Sequence, residues 1–242
     1  MEKEVVVWIT GWSLPDRFWH DYAKSLPEYD HVFLSGEGCQ NEMDIYQRAE
    51  SLIHIINKRR IYIVGWSLGA MLGLHLATRF SNHIQKLFLI NASGCFVKSE
   101  QNPEGWDKRI LRRMIRKLNQ NPEFVLRAFD QQMFTTNEMS QGLLRSFQDQ
   151  YRTGEWDCDA LTAGLRFLLH FSIYPDLGQV TSQVWMWMSE QDQICSPQEG
   201  RRLASLVSQC KLYSDDKQGH AVPWTAPARI RDWLVKGMQD HD

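Results

Sequence analysis

Gly65-Trp66-Ser67-Leu68-Gly69 decides how this chain is read. It follows the apolar run Ile61-Tyr62-Ile63-Val64 and precedes a helical pattern from Ala70 to Phe80. A strand, then Gly-x-Ser-x-Gly, then a helix is a nucleophile elbow, a sharp turn that lifts the serine hydroxyl clear of the sheet. Bulky side chains two residues to either side of Ser67 would clash with neighbouring backbone, so glycines fit there. The helix start just behind supplies free N–H groups and the positive end of a dipole. Five-residue patterns recur by chance, and a Gly-rich joint without chemistry is the alternative. The remaining sequence has to choose.

On either side of the elbow, strands and helices alternate. Val5-Val6-Val7-Trp8-Ile9 is a continuous β-branched apolar run, as expected of a buried parallel strand, and Thr10-Gly11-Trp12-Ser13 follows as a loop. Pro15-Asp16 opens a helix to about Leu26, His31 to Leu34 is a second strand, and Asp44 is placed to cap the next helix. Lys86 to Ile90 is the fourth strand, ending in Asn91-Ala92-Ser93-Gly94. The alternation then stops. From Cys95 to Ile173 the pattern is helical, with helices expected over about 104–119, 122–134, 137–152 and 157–171. It resumes with strands at Val184–Met188 and Cys210–Tyr213 and helices at Pro197–Val207 and Pro223–Met238. Alternation of this kind implies βαβ units. The expected class is α/β, with about six mostly parallel strands flanked by helices and a helical lid inserted after the fourth strand. Residues 1–94 and 174–242 form the core and 95–173 the lid.

Composition narrows the function. With 242 residues, 43% hydrophobic and 23% charged, the chain has the balance of an ordinary soluble domain. A net charge of −2 carries no nucleic-acid signature, and no stretch approaches the length of a membrane span. Met1-Glu2-Lys3-Glu4 runs straight into a strand without a signal peptide. Five scattered cysteines without a CxxC pair fit free thiols in a reducing cytosol. The eight histidines form no HExxH or His/Cys cluster, so neither a metal nor another cofactor is expected.

A nucleophilic serine needs a general base, and the base needs an orienting acid. Asp192 lies just past the Val184–Met188 strand, and His220 just past the Cys210–Tyr213 strand. Both therefore belong at the carboxyl edge of the sheet, where open α/β sheets place their ligand sites. The order Ser67, Asp192, His220 is the one this strand–turn–helix arrangement uses. Each residue alone could be an ordinary loop position. Glu190 is the rival acid but falls earlier in its turn, and Asp215 and Asp216 sit too close in sequence to His220. Two N–H donors are needed for the developing oxyanion. Leu68, which follows the nucleophile, and Trp12, beside Gly11 in the loop after the first strand, are the candidates. Ser13 ranks below Ser67 because no second glycine starts a helix behind it.

With these residues placed, the chain resembles the α/β-hydrolase superfamily along nearly its whole length. Within it, the chain more closely resembles the biotin-synthesis esterases that demethylate pimeloyl-acyl-carrier-protein methyl ester. The likeness rests on Gly-Trp-Ser-Leu-Gly, the Gly11-Trp12 pair, the turn Asn91-Ala92-Ser93-Gly94-Cys95-Phe96 and the four-helix lid. The resemblance implies a catalytic triad of Ser67, Asp192 and His220 and oxyanion donors at Trp12 and Leu68. Two departures stand out: the chain starts at what corresponds to the family's third strand, and Thr10-Gly11 replaces the usual His-Gly.

Lys108, Arg109, Arg112, Arg113, Arg116 and Lys117 fall in one arc of the first lid helix, opposite Leu111, Met114, Ile115 and Leu118. A solvated basic face and a docking surface for an acidic partner both fit this pattern. The resemblance implies the latter, with an acyl carrier protein as the partner. Trp66, Phe124, Phe129, Met133, Phe134, Phe167, Leu168 and Phe171 can either line an acyl pocket or form ordinary lid core. The expectation is a cytoplasmic serine carboxylesterase acting on an ester substrate, by resemblance the methyl ester of a pimeloyl carrier protein. A short-chain esterase without a carrier, a lyase or C–C hydrolase on the same residues, and a carrier-binding scaffold with an idle site remain as alternatives.

Overall fold

The structure, a computed structural model, describes residues 3–56 and 60–240; the Met1-Glu2 start lies outside them. Six strands, β1 (Val5–Ile9), β2 (Asp30–Leu34), β3 (Ile61–Trp66), β4 (Ile84–Ile90), β5 (Gln183–Ser189) and β6 (Cys210–Asp215), form one sheet. Its order is β2-β1-β3-β4-β5-β6, and every pairing is parallel. The inner strands β1 and β3 are buried at every residue, whereas the edge strands β2 and β6 are half exposed. That is why the inner strands read as unbroken apolar runs: helices cover both of their faces.

The helices are α1 (His20–Ala23), α2 (Glu42–Ile56), α3 (Leu68–Arg79), α4 (Lys108–Leu118), α5 (Pro122–Met133), α6 (Thr136–Ser140), α7 (Leu143–Tyr151), α8 (Cys158–His170), α9 (Pro197–Leu206), α10 (Val222–Thr225) and α11 (Pro227–Gln239). None among the described residues is long and apolar enough to cross a membrane. Register assigns the two faces. Trp8, Val64, Phe88 and Trp185 align across the sheet. Trp19 and Tyr22 pack on this row at Trp8, and Trp233 of α11 packs on it at Phe88 and Trp185. The next row, Ile9, Gly65, Leu89 and Met186, points the other way, toward α3. Side-chain bulk at Phe88, fully buried, holds α11 to the sheet; truncating such a residue costs about 3–5 kcal/mol.

Helices α4 to α8 all lie between β4 and β5. The two ends of this insertion meet: Cys95 bridges Ser172, and Ile173 N–H donates to the Gly94 carbonyl at 2.8 Å. Glu199 of α9 gathers the same neck from below. Its carboxylate accepts from Gly94 N, Cys95 N, Ser93 Oγ and the Tyr174 hydroxyl, at 2.6, 3.3, 3.2 and 2.6 Å. Burial nevertheless pushes the Glu199 carboxyl upward against the pull of those donors.

Several boundaries differ from the periodicity. The helix expected over 104–119 starts only at Lys108, because Asp107 caps it by accepting the Arg109 N–H at 2.8 Å. The one expected over 137–152 breaks into α6 and α7 at Gly142, whose φ of 78° no helix accommodates. The terminal helix breaks at Ala226 into α10 and α11. Asn41, not Asp44, caps α2: its Oδ1 accepts from Met43 and Asp44 N–H, and Asp44 reaches back to the Gln40 and Asn41 N–H groups. The reciprocal bonding pattern is that of a capping box.

Candidate active site

The elbow is built as its glycines suggest. A Cβ on Gly65 would lie 2.4 Å from the Gly69 carbonyl oxygen, and one on Gly69 would lie 2.3 Å from that of Ile9. No side chain fits at either place, so α3 can close directly on the β1 and β3 ends. Ser67 itself sits at φ 57° and ψ −118°, a strained conformation for a residue with a Cβ. It is held there by bonds on both sides. Its N–H donates to the Ile90 carbonyl of β4 at 3.0 Å, and its own carbonyl accepts from Ala70 and Met71 at the start of α3.

His220 and Asp192 meet at the carboxyl edge. Nδ1 of His220 lies 2.7 Å from Asp192 Oδ2, with both side chains almost wholly buried. A carboxylate only accepts, so Nδ1 carries the proton and Nε2 is the free basic nitrogen. Asp192 is fixed in turn: Oδ1 accepts the Ile194 and Cys195 N–H groups at 2.7 and 2.9 Å. The loop carrying His220 is tied down by its carbonyl, which accepts from Trp66 Nε1 at 3.0 Å and Asn91 Nδ2 at 3.1 Å. Trp66 also lays its indole against the imidazole, with ring centroids 5.5 Å apart. The rival acid Glu190 is turned outward, paired with Arg201 at 2.6 Å. Asp215 is engaged by Arg229 on α11.

Three residues outside the predicted site also shape it. Asn91, fully buried at φ 48°, staples the end of β4 to Ser189 of β5 and to the His220 loop. Its left-handed backbone is tolerable for Asn, and the Asn-Ala-Ser-Gly turn was the available hint. Glu138 of α6 accepts from Gly219 N at 3.2 Å and Thr135 N at 2.6 Å, joining the insertion to the loop before His220. Cys195 is the third. Its thiol neighbours the Ser67 side chain, and Asp192, Cys195 and His220 offer atoms all within 4.8 Å of one another. Burial first, then the Asp192 charge, pushes the Cys195 thiol far up, so it stays protonated. The His220 ring bonds Asp192, and among the described residues Ser67 makes no hydrogen bond to it.

Trp12 and Leu68 flank one cleft of about 220 Å³, whose wall also includes Arg17, Tyr151, Leu161 and Gly164. Neither Trp12 N–H nor Leu68 N–H has an acceptor among the described residues. The Trp12 side chain is gripped by the insertion. Its Nε1 donates to the Leu161 carbonyl at 2.8 Å, Phe129 packs edge-on at 4.9 Å, and Gly164 makes room where a Cβ would fall 2.5 Å from the indole. Trp66, Phe129 and Phe134 are buried and do not line the cleft; Phe134 packs on Phe147. Arg109, Arg112, Arg113 and Arg116 lie exposed on α4, away from the cleft wall. Arg109 is taken up by the cap residue Asp107 at 2.6 Å and holds that carboxyl down at about 2.

Residues 35–227 match the sequence pattern of the family described as alpha/beta hydrolase fold. The chain belongs to this family. Solved relatives agree on the fold: an esterase from Exiguobacterium antarcticum superposes with a TM-score of 0.83 at 15% identity, covering 99% of this chain and 93% of that one. A hydrolase from Oleispira antarctica gives 0.84 at 14%, covering 100% and 93%. Within the α/β-hydrolases, the chain is 24% identical over 249 residues to the biotin biosynthesis bifunctional protein BioHC of Cellvibrio japonicus. That match takes in 99% of this chain but 48% of the relative, so the chain spans about half of its length. It is 27% identical over 189 residues to the pimeloyl-[acyl-carrier protein] methyl ester esterase of Shewanella sp. (strain MR-7), with 75% of this chain and 70% of the relative aligned. The protein of that name from Nitrosomonas europaea is 23% identical over 223 residues, with 89% and 88% aligned.

Proposed function

We propose that the protein is a serine carboxylesterase with Ser67 as nucleophile, His220 as general base and acid, and Asp192 as the orienting carboxylate. The observation that carries this reading is the buried 2.7 Å contact between His220 Nδ1 and Asp192 Oδ2, at the sheet edge beside a strained serine elbow. On substrate binding the Ser67 hydroxyl turns to His220 Nε2. Its oxygen attacks the ester carbonyl while His220 takes the proton, and Asp192 stabilises the imidazolium. The Leu68 and Trp12 N–H groups receive the oxyanion. His220 then protonates the departing alcohol, and water, activated by the same imidazole, releases the acid and restores Ser67. The insertion acts as the lid that keeps this chemistry out of bulk water.

For the substrate the similar esterases are the guide: a methyl ester of a pimeloyl chain carried on an acyl carrier protein. The exposed cations of α4 support it. Lys108, Arg112, Arg113 and Arg116 have no ion-pair partner among the described residues, and an acidic carrier is steered to such a face. A fluorophosphonate probe tests the chemistry. Labelling of the wild type that disappears in Ser67→Ala supports the esterase reading, and labelling that survives the substitution overturns it.

A further inference from the structure

The loop after β1 is held from two directions. Within the loop, Thr10 Oγ1 donates to the Leu14 carbonyl at 3.1 Å. From the insertion comes Arg152, just beyond α7, a chain separation of 139 residues from Ser13. Its side chain is fully buried, as is that of its partner Asp130 on α5. All five guanidinium N–H groups have acceptors. Nε lies 2.9 and 3.1 Å from the two Asp130 oxygens, and Nη2 bonds Asp130 Oδ1 at 2.8 Å and Ser13 Oγ at 3.0 Å. Nη1 bonds the Ser13 carbonyl at 3.0 Å and the Tyr151 carbonyl at 3.2 Å. Ser13 is one of only three non-glycine residues with positive φ among those described, at 67°. That conformation is unfavourable for a residue with a Cβ. Ser13 also directly follows Trp12, and both line the cleft; the Trp12 N–H has no acceptor among the described residues. The Ser13 backbone, held through its own carbonyl and side chain, cannot rotate without disturbing both Arg152 bonds.

We propose that Arg152 is a positioning residue that fixes the Trp12–Ser13 backbone, and so aims the Trp12 N–H at the oxyanion only when the insertion is seated. Asp130 orients the guanidinium, and Ser13 transmits its hold. The proposal rests on the esterase reading. It makes the insertion part of the oxyanion site as well as a cover over it: lifting α5 and α7 withdraws the fork and frees the loop.

Arg152→Lys is the informative variant. A lysine keeps the charge beside buried Asp130, so the fold survives, but a single ammonium cannot replace the two-pronged contact to Ser13. With p-nitrophenyl butyrate, kcat falls about 30-fold while KM stays within about twofold, because an oxyanion donor acts mainly in the transition state. Affinity for a boronic acid that adds to Ser67 falls by the same factor. A second change, Ser13→Gly in the Arg152→Lys background, restores kcat about fivefold, since glycine holds positive φ without a clamp. The melting temperature of Arg152→Lys decides whether a loss is mere unfolding. If kcat is unchanged, or if kcat and stability fall together without rescue by Ser13→Gly, the positioning role is wrong. If the wild type itself neither hydrolyses the ester nor reacts with fluorophosphonate, the esterase reading fails and takes this role with it.

Discussion

The strand ends and the helical insertion contribute to the same site by different means. Ser67, Asn91, Asp192 and His220 each stand at or just past the carboxyl end of a strand, and their positions follow from sheet register. Glu138 and Arg152 reach the site from the insertion through contacts spanning 81 and 139 residues. The first group is placed by local backbone and the second by tertiary packing. The core therefore carries the candidate reactive groups, although the loop bearing His220 is also held from the insertion by Glu138 and the Met133 carbonyl. The insertion adds clamps on the loops at Ser13 and Gly219 and an exposed cationic face. A change in the first group should abolish chemistry, whereas a change in the second should tune it.

The sharpest test of that division is Ser67→Ala. Removing the nucleophile of a serine hydrolase costs about 10⁴–10⁶ in kcat, and here the folded state should be nearly unaffected, because alanine keeps the Cβ and with it the strain of the elbow. Ester hydrolysis and thermal melting measured together read both quantities. Retention of more than about a hundredth of wild-type kcat would place the chemistry elsewhere. Next is Gly69→Ala. Its Cβ would sit 2.3 Å from the Ile9 carbonyl oxygen, against backbone that has nowhere to go. A loss of about 3 kcal/mol in urea unfolding is expected. A variant as stable as the wild type would mean that the β1–α3 contact is looser than it looks.

These two positions were legible in the sequence because Gly-x-Ser-x-Gly is a local pattern with local steric causes. Asp192 and His220 were legible for a related reason: once six apolar runs are taken as strands, the residues after the last two fall at one edge. The insertion resisted the same method. Its helices were found, but Gly142 breaks one of them through a backbone angle that periodicity does not encode. Arg152 looked like any helix-end cation, because nothing in its neighbourhood announces Asp130 or Ser13. Trp12 stands out in the sequence only by its place beside Gly11, and nothing local signals its indole bond to Leu161, which ties the loop to α8. Phe129 and Phe134 were apolar in the right segment, but apolar periodicity alone cannot separate core from lining.

Intermediate effects belong to the insertion. Arg112→Glu with Arg116→Glu reverses exposed charge, so stability should move by less than about 0.5 kcal/mol. Hydrolysis of p-nitrophenyl butyrate should stay as it is, while kcat/KM for pimeloyl-carrier methyl ester falls about tenfold, less at high salt. Equal slowing of both substrates would remove the docking role from α4. Glu138→Ala leaves the buried Gly219 and Thr135 N–H groups without their acceptor, which should cost about 2 kcal/mol. It should also lower kcat severalfold by loosening the loop that carries His220. A fall in stability with kcat intact would make Glu138 a helix cap and nothing more.

The smallest expected effect is at Cys195, and it separates the two candidate nucleophiles most directly. The thiol sits within 4.8 Å of the basic and acidic groups, and in isolation a Cys beside a His–Asp pair would suggest thiolate chemistry. Its surroundings work against that. Full burial and the Asp192 carboxylate both disfavour the anion, and the direction of the shift is strongly upward. At neutral pH the sulfur is therefore a thiol that fills space beside the Ser67 hydroxyl. Cys195→Val should leave kcat within about threefold, and iodoacetamide at pH 8 should not inactivate the wild type over an hour. Rapid alkylation with loss of activity, protected by substrate, would show a thiolate at the site. Ser67 would then be the neighbour, and the roles assigned at the strand ends would have to be exchanged.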